Sequence, residues 1–135
     1  IISSYRSIID QRVNLQKYME ASNLDYASAI KIVAAPGTSE HHLGLAVDIV
    51  DSGYPKLDYD QAHTETQKWL MENCWQYGFI LRYPEGSTEI TGIIYEPWHY
   101  RYVGYELAME LHELGNITLE EYVEMLTEDD AADQG

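Results

Sequence analysis

The stretch SEHHLGLAVD, Ser39 to Asp48, constrains this chain more than any other. Its second half runs into GLAVDIVD, where Leu45, Val47 and Ile49 alternate with Ala46, Asp48 and Val50, the pattern of a strand with one buried face. Two adjacent histidines and an aspartate on such a strand pose a choice between hydrogen-bonded imidazoles and a metal site. A second polar set, EPWHYR, places Glu96 and His99 three residues apart within GIIYEPWHYRYV. Pro97 confines that strand to an edge, an end or a bulge, and a bend there turns Glu96 and His99 toward one cleft.

The flanking segments are helical. SIIDQRVNLQKYMEA carries Ile8, Ile9, Val13, Leu15, Tyr18 and Met19 close to a one-sided spacing, with Ser7 as N-cap. YASAIKIVAA reads as a second short helix closed by PGTS, and TETQKWLMENCWQYG as a helix ending at Gly78, with the strand FILRY after it. YELAMELHELG and LEEYVEML close the chain as amphipathic helices, the second opened by Thr118 with Glu121 three residues on. Helices at both ends around a central set of strands predict an α+β fold with a small sheet. At 135 residues and 45% hydrophobic, the chain can bury one sizeable core, so residues 1–135 are expected to form a single domain. It opens on Ile1, which suggests an upstream segment, and the acidic stretch 127–135 is expected to be a frayed tail.

Charge removes one class of partner. Eight Lys and Arg stand against 23 Asp and Glu, net −15, so a phosphate backbone, which needs neutralising cations, is excluded. No Lys or Arg follows Arg101, while ten carboxylates lie from Glu106 to Asp133, a solvated helical face. No run approaches the roughly 18 apolar residues of a membrane span. The one cysteine, Cys74, excludes a disulfide framework and reads as a small buried hydrophobe.

Two histidines and Asp48 from separate strands make a nitrogen and oxygen donor set that suits zinc. Three protein ligands leave a position for water, as in a catalytic rather than a structural site. Glu96 is then the remaining carboxylate, placed as a general base, and the chemistry predicted is hydrolysis. Either His41 or His42 could serve.

These segments resemble the VanY-type D-alanyl-D-alanine carboxypeptidases and related LAS metallopeptidases. SEHHLGLAVD fits the pattern Ser-x-His-x-x-Gly-x-Ala-x-Asp, and EPWHYRYVG its Glu-x-x-His partner. SSYRS with Gln11 is similar to the Ser-x-Tyr-Arg-Ser box, YGFILRYP to the middle strand and TLEEYV to a common C-terminal helix. The resemblance implies a zinc peptidase on the fold shared with the hedgehog signalling domain. It implies the ligands His41, Asp48 and His99, Glu96 as base, Arg6 beside the scissile carbonyl, Gln11 and Ser39 lining the substrate pocket and Trp98 next to it. His42 stands where relatives often have Gln; adjacent residues of an extended segment point to opposite sides, and the family spacing selects His41 and leaves His42 at the rim. His63 and His112 fall outside every motif and read as exposed or structural.

The function implied is removal of the terminal D-Ala from peptidoglycan stem peptides. The alternatives are an L,D-carboxypeptidase, a D,D-dipeptidase, or a metal-binding module without hydrolysis, for which Glu96 would have no use. Polymeric peptidoglycan as substrate implies an extracytoplasmic domain, secreted or anchored through an upstream segment; a cytoplasmic enzyme acting on precursors is the alternative.

Overall fold

The computed structural model describes the backbone of residues 1–133 and side chains through Glu128. A three-stranded antiparallel sheet runs through the centre: β1 (Ala46–Asp48), β2 (Phe79–Leu81) and β3 (His99–Tyr102), in the order β1-β3-β2. The register sets Asp48 directly opposite His99 and Val47 opposite Tyr100. The N-terminal segment covers the free side of β1, with Ile2 N donating to Asp48 O and Asp48 N to Ser3 O, each at 2.9 Å. The opening residues are thereby laid against the strand that carries Asp48.

Both end strands of the sequence reading are shorter than their patterns. On β1 the buried residues are Ala46 and Asp48, whereas Leu45, Val47 and Ile49 are half-buried. The apolar alternation therefore marked the wrong face, because the deeper side of this strand holds a polar site rather than aliphatic packing. The segment 92–103 is extended only from His99. Before it, a helical turn, α4 (Thr88–Thr91), stops at Gly92 in the left-handed region (φ 74°), and Pro97 sits fully buried in a turn closed by His99 N donating to Glu96 O at 3.0 Å.

The helix α1 (Ile8–Ser22) begins where the Ser7 hydroxyl accepts from Asp10 N at 3.1 Å, the expected cap. Its buried line is Gln11 and Leu15, one turn apart, while Ile8, Ile9 and Val13 are exposed. The expected apolar face is thus only partly the packed one, since the helix packs through a hydrogen-bonded glutamine. The helix α2 (Tyr26–Ala29) lasts a single turn rather than the whole of YASAIKIVAA. The following run contains β-branched Ile30, Ile32 and Val33, poor helix formers, and passes into turns in which Ile32 N and Val33 N both donate to Ala29 O, while Ile94 N donating to Lys31 O at 2.9 Å ties it to the opposite wall.

Beyond the sheet, α3 (Glu65–Asn73) is capped by Thr64 and passes through the 3-10 turn Cys74–Tyr77 to Gly78. Gly78 (φ 79°) permits no side chain: a Cβ there would stand 2.7 Å from Tyr102 Cε2. The helices α5 (Tyr105–Glu113) and α6 (Leu119–Asp133) complete the fold. Thr118 and Glu121 form the expected capping box, Thr118 N donating to Glu121 Oε2 at 2.7 Å and Glu121 N to Thr118 Oγ1 at 3.2 Å. The segment read as a frayed acidic tail is helical through Asp133; its last two residues lie outside the described range.

The core is Leu15, Ala29, Ala46, Cys74, Tyr83, Trp98, Tyr100, Ala108 and Leu111. Burial pushes the Cys74 thiol up to about 11, so it packs as an apolar group. Gln67, also fully buried, accepts from Tyr100 OH at 2.8 Å and donates to Ile49 O, which ties α3 to the strand end beside Asp48. His63 is exposed, and His112 stacks on Trp75 at 4.3 Å between ring centroids.

Candidate metal centre

Asp48 and His99 face each other across the strand pair, so two donors are fixed by register alone. His99 Nδ1 stands 3.1 Å from Asp48 Oδ1. His41 arrives differently. It lies on a 3-10 turn, Glu40–Leu43, rather than on a strand as expected, and Gly44 in the left-handed region (φ 68°) turns the chain from it into β1. The turn aims His41 Nε2 at Asp48 Oδ2, 3.3 Å away. All three side chains are buried, and their ligand atoms lie within 4.8 Å of one another.

The donor set fits a small tetrahedral ion. Ligand atoms about 2.1 Å from such an ion stand about 3.4 Å apart, close to both separations seen here. Ser4 O accepts from His41 Nδ1 at 2.6 Å, which fixes the proton there and leaves the Nε2 lone pair facing Asp48. The neighbouring His42 has both nitrogens engaged away from the cluster: Nδ1 with Arg6 O at 2.7 Å, and Nε2 accepting from Gly37 N at 3.1 Å. It ties the 36–38 turn to the N-terminal segment, which is more than a place on the rim.

Glu96 lies at the edge of the cluster, its Oε2 3.8 Å from His99 Nδ1. Burial, reinforced by Asp48 and opposed by His99 and Arg6, pushes its carboxyl up to about 8, so without a cation it is protonated at neutral pH. His99 is shifted the other way from most buried imidazoles. Burial lowers it, but the carboxylates of Asp48 and Glu40 outweigh burial and hold it at about 9. Burial raises the Asp48 carboxyl, but the two histidines beside it outweigh this and hold it below the usual range.

Arg6 Nη2 is 3.6 Å from Asp48 Oδ2 and donates to Ser3 Oγ at 2.7 Å, while Nη1 donates to Gln11 Oε1 at 2.8 Å. Gln11, expected to line the substrate pocket, borders the cavity beside the cluster, with its amide engaged by the protein: Nε2 donates to Ala34 O at 2.6 Å. Gln11 thus holds Arg6 and the 30–35 wall in place. Ser39 and Trp98 are buried and border the same cavity, of about 710 Å³.

Sequence reasoning missed two groups. The first is the apolar wall of the cavity: Ile32, Val33, Leu57, Tyr59, Ile93 and Ile94. The second is Glu40, the variable position inside the Ser-x-His motif. Its Oε1 accepts from Arg82 Nε at 2.8 Å and pairs with Arg101 Nη1 at 3.0 Å, and its Oε2 faces His99 Nε2 at 3.4 Å. An isolated carboxylate beside a metal motif, with two distant arginines in the chain, was the available signal.

The family model for VanY, D-alanyl-D-alanine carboxypeptidase, matches residues 1–105. The chain belongs to this family. A D-alanyl-D-alanine carboxypeptidase of Enterococcus faecalis is 52% identical over 97 residues, covering 72% of this chain and 34% of the relative. The chain therefore spans about a third of that relative's length. Among solved structures, the VanY D,D-pentapeptidase of a VanB-type resistance cassette in complex with Zn(II) superposes with a TM-score of 0.78 at 42% identity, covering 91% of this chain and 70% of that one. The LD-carboxypeptidase LdcB superposes with a TM-score of 0.78 at 40% identity, covering 90% of this chain and 56% of that one. The resemblance to VanY-type peptidases and the α+β expectation are both borne out. The segments from SSYRS to EPWHYR fall within the matched range, whereas TLEEYV lies beyond it.

Proposed function

We propose that this VanY-family domain is a zinc-dependent D,D-carboxypeptidase that removes the terminal D-Ala from peptidoglycan stem peptides. The observation that carries the reading is the buried cluster of His41, Asp48 and His99 with a protonatable Glu96 at its edge, opening into a peptide-sized cavity. The relatives' names and the zinc in one of them support it. We assign His41, Asp48 and His99 as the residues that hold the metal.

When bound, zinc supplies Lewis acidity and makes water acidic enough to react at neutral pH. The chain's own residues do the rest. Glu96, brought to its ionised form by a cation in the cluster, accepts the proton of the attacking water and returns it to the leaving amine. Arg6, fixed by Ser3 and Gln11, directs its guanidinium to the oxygen that gains charge. Ser39 and Trp98 border the space for the residue at the cut. A polymeric substrate of this kind places the domain outside the cytoplasmic membrane, and no helix among the described residues is long and apolar enough to cross one.

The test is incubation of the zinc-loaded protein with muramyl pentapeptide and tetrapeptide, followed by mass spectrometry. Loss of a single alanine from the pentapeptide only is expected. Trimming of the tetrapeptide instead would replace this reading with an L,D-carboxypeptidase, the activity named for LdcB, and release of a D-Ala-D-Ala unit would replace it with a dipeptidase.

A further inference from the structure

Glu40 divides its two oxygens between different tasks. Oε1 takes both guanidinium groups, from Arg82 Nε at 2.8 Å and Arg101 Nη1 at 3.0 Å, so the charge of this carboxylate is already balanced without any histidine. Oε2 is turned to His99 Nε2 at 3.4 Å. An ion pair serving the fold alone has no need of that second orientation. A metal-binding imidazole is held in one tautomer by what its other nitrogen donates to, and a carboxylate is among the usual partners.

The clamp on Glu40 continues outward. Arg82, itself buried, forms a two-pronged pair with Glu120 on α6, Nη1 to Oε2 at 2.9 Å and Nη2 to Oε1 at 2.6 Å. A planar guanidinium held at both ends in this way has little freedom to let its carboxylate partner rotate. Glu120 sits in the first turn of α6, beside the Thr118–Glu121 cap that fixes where the helix begins. It also lies beyond residue 105, where the family match stops.

We infer that Glu40 is a positioning residue that engages the Nε2 proton of His99 and so keeps Nδ1 as the atom His99 presents to the metal beside Asp48, and that Glu120 of α6 secures it through Arg82. The inference rests on the metal assignment proposed above. It makes the C-terminal helix part of the metal centre's support rather than an appendage to it.

Glu40→Gln is the deciding variant. The amide keeps the size of the carboxylate but has one accepting oxygen, so it can serve the arginines or the imidazole and not both. The measurement is the zinc dissociation constant, by competition with a chromogenic chelator at fixed pH, for the wild type, His41→Ala, Glu40→Gln, Glu40→Ala and Glu120→Gln. Losses of about 10- to 100-fold are expected for both Glu40 variants, and a smaller loss in the same direction for Glu120→Gln. If Glu40→Ala does not fold, the isosteric Gln variant decides alone. A Glu40→Gln protein that binds zinc within about twofold of the wild type overturns the inference, and an unaffected Glu120→Gln overturns its extension to α6. A wild type that binds no zinc, or a His41→Ala protein that binds it equally well, points instead to failure of the metal assignment.

Discussion

The floor and the walls of the cavity are built on opposite principles. The floor is polar and buried: His41, Asp48, His99 and Glu96 come from a 3-10 turn, two paired strands and a proline turn, and their placement is fixed by backbone register and by hydrogen bonds from every side. The walls are apolar and open to solvent. Ile32, Val33, Ile93 and Ile94 are only half-buried, and Leu57 and Tyr59 are exposed at 48% and 55%. Buried charges in contact are costly unless mutually satisfied, so a floor of this kind persists because each group is paired or awaits a cation. Half-buried aliphatic side chains carry no such obligation, and they set which peptide fits rather than what happens to it.

If that division holds, substitutions in the floor should act on metal and on turnover, and substitutions in the walls on substrate affinity. His41→Ala is expected to have the largest effect, loss of zinc and of all measurable activity, read by metal analysis and by alanine release. Glu96→Ala follows. It should keep its zinc and lose about 10²- to 10⁴-fold in kcat, and unchanged turnover there would remove Glu96 from the reaction. Val33→Ser and Ile94→Ser, in the wall, should raise KM by no more than about tenfold with kcat nearly preserved. A fall in kcat without a change in KM would erase the distinction between wall and floor. The smallest effect is expected for His42→Ala, which should bind zinc normally and keep most of its rate, with a loss of about 1 kcal/mol of stability from its two hydrogen bonds.

The floor also has a pH signature that the walls lack. In the metal-free protein Glu96 is raised from 4.5 to about 8 and His99 from 6.5 to about 9. Both folded values lie above the ordinary ones, so the stability these groups contribute is complete below the ordinary values and is lost as pH rises through about 8 and about 9. Glu40, whose burial is outweighed by His99 and the Arg82 guanidinium, is lowered from 4.5 to about 2, so its contribution is present above 4.5 and is lost as pH falls toward 2. Thermal melting of metal-free protein should therefore be most favourable near about pH 5 and decline on both sides. Zinc uptake at pH 7 should release protons, with His99 the first source, measurable by calorimetry in buffers of different ionisation enthalpy.

The same contrast explains what could be read in the sequence. The floor was legible because its chemistry needs particular residue types at particular spacings, and Asp48 and His99 announce themselves wherever they sit. The walls and the helix faces were not. The spacing of Ile8, Ile9 and Val13 suggested a packed stripe, yet α1 packs through Gln11 and Leu15, because a buried amide that satisfies both Arg6 and Ala34 O outcompetes aliphatic burial at that position. Likewise the alternation in β1 pointed Val47 inward, whereas the side that is most buried carries Asp48. Glu40 escaped notice for a related reason. Its partner Arg82 lies 42 residues further along the chain, Glu120, which holds Arg82 in turn, a further 38, and no local pattern links them.

The most direct test is anomalous diffraction at the zinc edge from crystals of the zinc-loaded protein. The account predicts one strong peak within bonding distance of His41 Nε2, Asp48 and His99 Nδ1, with His42 still hydrogen-bonded to Arg6 O and Gly37 N. A peak coordinated by His42, or one that leaves His99 or Asp48 uncoordinated, would contradict it.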